Sequence, residues 1–410
     1  MGAPTILLLD GGSYTSLPIA RELTEDLDAT VIGVGTTRYS RLLRSRYCDV
    51  RAIAPPTDHE GYVEAIDRLV EHYRPDVLLP VGYDSTSRIE AARSRFTESV
   101  ALTLPSSEAF ATAIDKRATR RCAERLGLPV PAEYTDLVAA AAERNPRPPP
   151  PPDVPFPVFV KPRWEVDDGH ATTAIVDRPD EFWPTYDRIA ADAPNGEVLV
   201  QEYVDGSDST LGCGAFVSSD GVELVFSHEE LRSVPRRGGS GTHLRVLRDR
   251  SLERDALALL RDLDWNGIAL VEFKRRRDGS AVLMEINPKF WASYALASSA
   301  GYRFASTVVA NALELPIDPS SPSQDGEMVF PLRELYHCAR HRDEGSPLDC
   351  LVTVARPDVS WSVDVTDLRA WLTPPAAIYE KLPLNGNGSR DAPLVESSPR
   401  VVGDRVEGHP

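Results

Sequence analysis

The chain has 410 residues, 42% of them hydrophobic and 26% charged, which is typical of a globular protein with roughly two or three domains. Its net charge of −17 argues against nucleic acid and anionic membranes as partners, because both bind basic surfaces. The sequence has no apolar run of about 18 residues for a membrane helix, and the N-terminal ILLLD is too short for a signal peptide. We therefore expect a cytoplasmic protein.

Cysteine and lysine usage adds two expectations. The five cysteines have spacings that fit neither a metal site nor a redox pair, so we expect reduced thiols. An acidic chain that uses arginine for its positive charge is typical of a salt-loving organism such as a haloarchaeon, although genome base composition could produce the same bias. Only five of the 45 basic residues are lysines, namely Lys116, Lys161, Lys274, Lys289 and Lys381.

Predicted strands and helices alternate in the N-terminal part of the chain. The pattern predicts, in chain order, strand 5–9, helix 15–27, strand 30–34, helix 60–73 and strand 76–81. Such an alternation is typical of a parallel sheet with right-handed crossovers. The Gly11-Gly12 turn could cradle a phosphate, but the full dinucleotide fingerprint is missing, so we favour a structural tight turn.

Two lysines in the middle of the chain are candidate phosphate ligands. Lys116 lies in a helix predicted over 106–127, where a lysine would ordinarily be a surface residue. A proline-rich connector at 146–157 leads into a strand predicted at 156–161, which ends in Lys161. A lysine at a rigid strand end can bind phosphate as a point charge, or it can simply discourage aggregation at the strand edge. Taken alone, Lys161 favours the second interpretation.

The next predicted strand, at 197–204, carries groups that suit a nucleoside. Gln201 could hydrogen-bond an adenine ring, and Asp208 could accept hydrogen bonds from ribose, although a turn-forming Asp is an equal alternative. The glycine-rich loop RRGGSGT at 236–242 could close over phosphates through its N–H groups, or it could be a flexible connection. The remaining elements predicted in this part are strands 211–217 and 222–228 and helix 252–263.

The stretch from 271 to 291 is the most informative segment. Its Asp278-Gly279 turn predicts a two-residue β-hairpin in which Glu272 faces Glu285, with Asn287 on the same face. Like charges that face each other destabilise a sheet, whereas Mg²⁺ or Mn²⁺ would turn the repulsion into coordination. The apolar stripe of the other face is predicted to be Ala269, Val271, Phe273, Val282, Met284 and Ile286.

An ordinary amphipathic hairpin with a wet outer face is the alternative. Two observations weaken it: Leu270 and Leu283 also fall on the predicted acidic face, and Asn287-Pro288 ends the strand abruptly. The metal interpretation and the structural one stay open on spacing alone.

Taken in order, these segments resemble the ATP-grasp superfamily over about residues 1–330. DKRATRRCAERLGLPVP resembles the opening of the family's central domain, and FPVFVKP its first lysine strand. LVQEYVDGSD resembles the adenine hinge and ribose acid, and VEFK…LMEINPKF resembles the magnesium motif, which is the most specific of the four. The resemblance implies an α/β fold, α+β in its central part, with a Rossmann-like pre-ATP-grasp domain before a two-subdomain ATP-grasp fold.

The resemblance also implies a division into five parts. These are a pre-ATP-grasp domain at 1–105, a first ATP-grasp subdomain at 106–195 that holds the proline-rich insert, a second at 196–330 that holds the metal hairpin, a C-terminal extension at 331–384 and a disordered tail at 385–410. In the extension, CLVTVA is predicted to be strand-like and VTDLRAWL helical.

Roles for individual residues follow from the resemblance. Lys116 and Lys161 would contact the phosphates of ATP. The adenine slot would be lined by Gln201, Glu202 and Val204, with Asp208 at the ribose. Mg²⁺ or Mn²⁺ would be bound by Glu272, Glu285 and Asn287. Lys289 stands where relatives often have Arg, and there it would neutralise the transferring phosphoryl group.

The chain departs from the family pattern at two places. The loop after Lys161, usually glycine-rich, reads WEVDDGHAT here, with one glycine and three acids within 164–170. Many relatives have an arginine two residues before the first metal acid, where this chain has Leu270. Arg245, or an arginine of the pair at 236 and 237, is the candidate substitute.

The leading functional hypothesis is an ATP-dependent carboxylate–amine or carboxylate–thiol ligase that forms an acyl phosphate and releases ADP and phosphate. Its substrates would be small molecules, and a homodimer is compatible with this interpretation. A bicarbonate-activating carboxylase or carbamoyl-phosphate-type enzyme is the second hypothesis, and a catalytically inactive ATP-binding protein is the third. NAD-dependent oxidoreduction rests on the N-terminal sheet alone and is the weakest.

Overall fold

The computed structural model describes residues 2–144, 146–166, 173–234, 240–316, 325–340 and 347–372. The chain divides into two compact units. Of the described residues, the first unit contains those within 2–104, 303–316 and 363–372, and the second contains those within 105–302 and 325–362. The five-part division inferred from the sequence stays a prediction.

The strands of the described residues are β1 (Thr5–Leu8), β2 (Thr30–Gly35), β3 (Val50–Ile53), β4 (Val77–Leu79), β5 (Val158–Pro162), β6 (Ala174–Val176), β7 (Val198–Glu202), β8 (Gly206–Val217), β9 (Glu223–Val234), β10 (Ser240–Leu247), β11 (Gly267–Arg276), β12 (Ala281–Asn287), β13 (Glu327–Val329) and β14 (Val359–Trp361). The α-helices are α1 (Ser16–Leu27), α2 (Tyr62–Tyr73), α3 (Tyr83–Ala91), α4 (Ser107–Ile114), α5 (Lys116–Arg125), α6 (Thr135–Ala142), α7 (Phe182–Asp192), α8 (Arg250–Asp262), α9 (Tyr294–Ser299), α10 (Phe304–Ala312), α11 (Pro331–Arg340), α12 (Pro347–Ala355) and α13 (Leu368–Trp371).

The first unit contains the predicted parallel sheet. Its strand order is β3-β2-β1-β4, and each neighbouring pair is parallel. The turn after β1 is structural, as favoured from the sequence: the N–H of Gly11 donates to the carbonyl of Val34 at 2.7 Å, and a Cβ on Gly11 would lie 2.7 Å from that oxygen. Asp10 accepts hydrogen bonds from the N–H groups of Val81 and Gly82, which ties this turn to the end of β4.

The second unit contains two sheets that carry the candidate site. The smaller sheet is antiparallel with the order β6-β5-β7, and Val158 and Val160 of its central strand pack with α7 in one core. The larger sheet has the order β12-β11-β8-β9-β10-β13-β14. Helices α4, α5 and α8 cover one of its faces with a second apolar core.

The helix predicted over 106–127 is two helices, and the break lies at Asp115. This residue has an extended backbone, with φ −92° and ψ 98°, and its side chain caps α5 by accepting from the N–H of Arg117. Asp is a preferred N-cap residue because its carboxylate satisfies N–H groups that the first turn leaves unpaired. Lys116 is therefore the first residue of α5 instead of a surface residue in the middle of a helix.

Three further predictions need correction or lie outside the structure. CLVTVA is not a strand, because it forms most of α12. Residues 236–239 of the predicted glycine-rich loop lie outside the described residues, and Ser240–Leu247 is strand β10. The predicted disordered tail at 385–410 also lies outside the described part of the chain.

The expectation of five reduced thiols is wrong for Cys350, which is disulfide-bonded. Cys48, Cys122 and Cys213 are free and buried. Among the described residues, no helix combines the length and apolar character that crossing a membrane requires.

Candidate functional site

The hairpin of β11 and β12 has the predicted register at its acidic end. Glu272 pairs with Glu285 and Leu270 pairs with Asn287, so the carboxylates and the carboxamide share one face. Asn287 is buried, and its Nδ2 donates to Oε1 of Glu272 at 3.0 Å. Two carboxylates and a carboxamide thus lie side by side on the face opposite the helix-covered core.

The turn that joins these strands differs from the prediction. Three residues, 277–279, form the loop, because the N–H of Arg276 donates to the carbonyl of Ser280. Gly279 closes it with a φ of 87°, a conformation that glycine adopts without strain. Farther along β12, Met284 has no partner on β11, so a bulge restores the predicted pairing of Glu272 with Glu285.

The bulge changes which side chains reach the core. Leu283, predicted on the acidic face, packs in the helix-covered core instead. That core also contains Ala269, Val271, Phe273 and Ile286, as predicted. Val282 and Met284, the other two residues of the predicted stripe, are absent from this core among the described residues.

The electrostatics of the two glutamates differ sharply. Burial, then the charge of Glu285, raises the pKa of Glu272 well above its ordinary value. Burial would also raise the pKa of Glu285, but Lys116, Lys161 and Lys289 outweigh burial and lower it. Glu285 is therefore the stable anion of the pair, while Glu272 holds its proton more readily until another positive charge arrives.

Two of the predicted lysines converge on Glu285. The Nζ atoms of Lys116 and Lys161 each lie 3.8 Å from Oε2 of Glu285. Both lysines are buried, at 8% and 3% exposure. A buried ammonium group needs negative partners, and burial lowers the pKa of Lys161 accordingly. The structure thus brings residues from α5, β5 and β12 to one point.

A short segment after β5, residues 163–165, positions Lys116, and we call this segment the strap. The guanidinium of Arg163 donates to both carboxylate oxygens of Asp115, at 2.9 and 2.6 Å, and to Glu197 at 2.9 Å. The backbone adds two hydrogen bonds, from the N–H of Lys116 to the carbonyl of Arg163 and from the N–H of Glu165 to the carbonyl of Ile114. Bidentate arginine–carboxylate pairs have a defined geometry, so the start of α5 is held in place.

Glu165 is a residue of the site to which the sequence interpretation assigned no role. Its Oε2 lies 2.5 Å from Nζ of Lys116, and both side chains are mostly buried. The sequence shows the acidic loop as a departure from the family pattern. The pairing of Glu165 with Lys116, however, depends on the helix break at Asp115, and the helix predicted over 106–127 has no such break. The signal in the sequence is the alternation Lys161, Arg163, Glu165 along an extended segment.

The small sheet separates the predicted adenine residues. Phe159 pairs with Gln201, while Val158 pairs with Glu202, so Gln201 lies on the face of Lys161 and Glu202 on the opposite face. Oε1 of Gln201 is buried without a hydrogen-bond partner among the described residues. The carboxylate of Glu202 is bound by Arg276 and by the N–H of Ala132. The side chain of Glu202 is thus on the wrong face for the predicted slot.

The other predicted residues have varied outcomes. Val204 is buried just after β7. Asp208 lies within β8, but its side chain lies outside the described part of the structure, as do Arg236 and Arg237. The charge of Lys289 acts on Glu285, Glu272 and Glu165, which places it at the same cluster.

The register does not bring Arg245 to the site. Arg245 pairs with Glu229, which pairs with Leu211, which pairs with Phe273 of the helix-covered core. Directly paired residues share a face, so Arg245 lies on the face opposite Glu272. It is half-exposed there and forms an ion pair of 2.6 Å with Glu229. The suggestion that Arg245 replaces the arginine missing at Leu270 is therefore not supported.

The oxygen donors fit a hard divalent cation that is shared with a ligand. No group of three His, Cys, Asp or Glu side chains that could hold a metal occurs among the described residues. The two carboxylates remain, with the carboxamide of Asn287 beside them, and Mg²⁺ commonly binds one or two carboxylates together with phosphates and water. The raised pKa of Glu272 also favours a bound cation, because the nearby lysines do not neutralise this acid fully.

Comparisons with known proteins support this fold. No family model matches the chain. The carbamoyl phosphate synthase large chain of Myxococcus xanthus is 26% identical over 274 residues, which is 62% of this chain and 24% of that protein. The chain therefore spans about a quarter of that relative's length.

Solved structures resemble the chain over more of its length. Biotin carboxylase from Campylobacter jejuni, solved as a β,γ-ATP complex, has a TM-score of 0.64 at 15% identity, over 79% of this chain and 74% of that chain. The biotin carboxylase domain dimer of the Hydrogenobacter thermophilus 2-oxoglutarate carboxylase, solved with MgADP, ADP and bicarbonate, also has a TM-score of 0.64, at 13% identity, over 80% and 74%. The predicted fold class is confirmed.

Proposed function

We propose that the protein is an ATP-dependent ligase that activates a small-molecule carboxylate as an acyl phosphate and transfers it to an amine. The observation that carries this proposal is the convergence of Lys116 and Lys161 on Glu285, which pairs with Glu272, while the charge of Lys289 acts on both acids. Phosphoryl transfer requires positioning and charge neutralisation, and this cluster offers both. A thiol in place of the amine would use the same activation step.

Each group in the cluster has a role in this proposal. Lys116 and Lys161 bind the phosphates of ATP, and the Oε1 of Gln201 accepts a hydrogen bond from the adenine amine. Glu272, Glu285 and Asn287 would hold Mg²⁺ or Mn²⁺, which neutralises phosphate charge when bound. Lys289 neutralises the transferring phosphoryl group, and Asp208 stays a prediction for the ribose. Glu202 contributes no side chain to the adenine slot.

The experiment is a screen for ADP release. Purified protein is incubated with ATP, Mg²⁺ and panels of carboxylic acids and amines, and hydroxylamine is added to trap an acyl phosphate as a hydroxamate. We expect ADP release that requires Mg²⁺ and one class of acid, together with a hydroxamate of the same acid. Bound ATP without ADP from any mixture would contradict ligase activity and leave the third hypothesis, an inactive nucleotide-binding protein.

Bicarbonate activation is the second candidate, and two of the similar proteins motivate it. Among the similar structures is a carboxylase domain with MgADP and bicarbonate bound, and the similar sequence is a carbamoyl phosphate synthase. ADP release that requires bicarbonate and no organic acid would select this candidate. The two functions share the activation of a carboxylate-type oxygen by ATP, so the same protein preparation tests both.

A further inference from the structure

Glu165 forms an ion pair with Lys116, whose ammonium group binds a phosphate in the proposed function. Its Oε2 lies 2.5 Å from Nζ of Lys116, the closest of the contacts described between the lysines and acids of this cluster. The side chains are 9% and 12% exposed, so water screens the pair weakly. Lys116 is thus already neutralised in the absence of nucleotide.

The position of Glu165 is held by its backbone. Its N–H donates to the carbonyl of Ile114 at 2.8 Å, and the neighbouring Trp164 bridges to Asp115. The indole N–H of Trp164 donates to Glu197 at 2.5 Å, which fixes the same segment from the other side. The strap therefore directs the carboxylate at Lys116, so the pair is not a chance contact of two mobile side chains.

The surroundings make the charge of Glu165 conditional on Lys116. Burial, followed by the charge of Glu285, raises the pKa of Glu165, and Lys116 is the largest influence in the opposite direction. A phosphate that binds Lys116 would bring further negative charge beside both Glu165 and Glu285. The ammonium group of Lys116 has enough hydrogen atoms to donate to both the carboxylate of Glu165 and a phosphate. The two anions nevertheless repel each other there, so each weakens the binding of the other.

We propose that Glu165 is a built-in competitor for phosphate, which holds Lys116 while nucleotide is absent and is displaced when a phosphate group binds. This inference rests on the proposed function, because it takes Lys116 as a phosphate ligand. Glu165 sets the affinity of the site for phosphates, and it has no influence on the recognition of the nucleoside. The acidic residue that departs from the glycine-rich pattern thereby gains a specific role.

The test compares nucleotides that differ only in their phosphates. The affinities of adenosine, ADP and ATP for the full-length protein are measured by calorimetry, for the wild type and for Glu165→Gln. We expect ADP and ATP to bind about tenfold more tightly to the variant, the size of one charge-assisted hydrogen bond that no longer competes. The affinity for adenosine should be unchanged.

Four further variants make the result specific. Glu124→Gln removes a carboxylate from the same helix as Lys116, but its partner is Arg120, so its affinities should equal those of the wild type. In a Lys116→Gln background, Glu165→Gln should bring no gain, because the contested ammonium group is gone. Glu165→Ala should reproduce the gain if the glutamine variant does not fold.

Unchanged or weaker ADP and ATP binding in the Glu165 variants would overturn the inference, and so would an equal gain for adenosine. A gain that persists without Lys116 would also overturn it. Wild-type protein that binds none of the three ligands would remove the nucleotide site itself and the inference with it. Wild-type binding of ATP without a gain in the variants would overturn the inference alone.

Discussion

The two faces of the large sheet in the second unit have different roles: one forms a core and the other carries the charged candidate site. One face buries apolar side chains such as Val271 and Leu283 against helices α4, α5 and α8. The other face presents Glu272 and Glu285 next to each other, with three lysines acting on Glu285. The first face gains free energy from burial, whereas the second spends stability on charges that repel until a cation binds.

Strands β11 and β12 contribute to both faces, so substitutions a few residues apart separate the two contributions. A change on the acidic face should affect the reaction far more than the fold. A change on the helix-covered face should affect the fold far more than the reaction per folded molecule. Four substitutions, taken from the largest expected effect to the smallest, test this separation.

The largest effect is expected for Glu285→Gln. The variant loses the stable anion of the metal pair and the partner of both buried lysines. Because a bound metal supplies several kcal/mol of transition-state stabilisation, we expect Mg²⁺-dependent ADP formation to fall at least about a hundredfold. The rate is measured at saturating ATP with the acid identified by the screen.

The matched control for this variant is Glu223→Gln, the same substitution on the other face of the sheet. Glu223 pairs with Val217 of the helix-covered core and forms an ion pair with Arg261 of α8. Its rate should equal that of the wild type. A Glu285→Gln enzyme with wild-type ADP formation would contradict the metal assignment and, with it, the functional difference between the faces.

Leu283→Ala should have the largest effect on stability. The side chain is 2% exposed and packs in the helix-covered core, and truncations of this kind cost about 2–5 kcal/mol. Urea unfolding followed by circular dichroism measures the loss. Leu231→Ala, an exposed leucine of the same sheet, is the control and should cost much less. A Leu283→Ala protein as stable as the wild type would show that Leu283 does not belong to the core.

The same leucine shows how far the sequence predicts the hairpin. Alternation placed Leu283 on the acidic face, because a two-residue turn was assumed. The structure has a three-residue turn and a bulge at Met284, and the two deviations cancel at Glu272 and Glu285. The pairing of the acids was therefore predicted correctly, while the face of Leu283, which lies between turn and bulge, was not. A bulge is a local irregularity that period-two reasoning cannot detect.

Other parts of the site follow the same division between local and non-local information. The N-terminal parallel sheet and the buried strand with Lys161 were predictable from apolar runs, since burial is a local property of such runs. The break at Asp115 and the ion pair of Glu165 depend on Arg163, 48 residues from Asp115. The position of Arg245 on the face opposite Glu272 depends on the register across four strands. Such long-range pairings are not encoded in periodicity.

Glu272→Gln should change the free energy of unfolding less than Leu283→Ala does. It should raise this free energy, whereas Leu283→Ala lowers it. The raised pKa of Glu272 means that the folded protein binds this proton more tightly than the unfolded chain does. Stability from this group is therefore lost as pH rises above the ordinary glutamate pKa, and the ionised acid destabilises the metal-free fold. We expect the variant to be more stable than the wild type at pH 8, because the neutral amide carries no charge for Glu285 to repel.

The measurement is urea unfolding of both proteins without divalent cations, at pH 6 and at pH 8. The advantage of the variant should be larger at pH 8 and should shrink when Mg²⁺ and ATP are added, because the cation stabilises only the carboxylate. If the variant is no more stable than the wild type at pH 8, the two glutamates do not repel each other in the folded protein. Activity should be lost in the variant under all these conditions.

The smallest effect is expected for Arg245→Ala, which tests the register directly. Arg245 is half-exposed, its partner is Glu229, and both lie on the face opposite Glu272. Exposed ion pairs contribute about 0–1 kcal/mol, so unfolding should change little. ADP formation should match that of the wild type, because this face is opposite the proposed metal ligands Glu272 and Glu285. A large loss of rate in a stably folded Arg245→Ala protein would return this arginine to the site and refute the separation of the two faces.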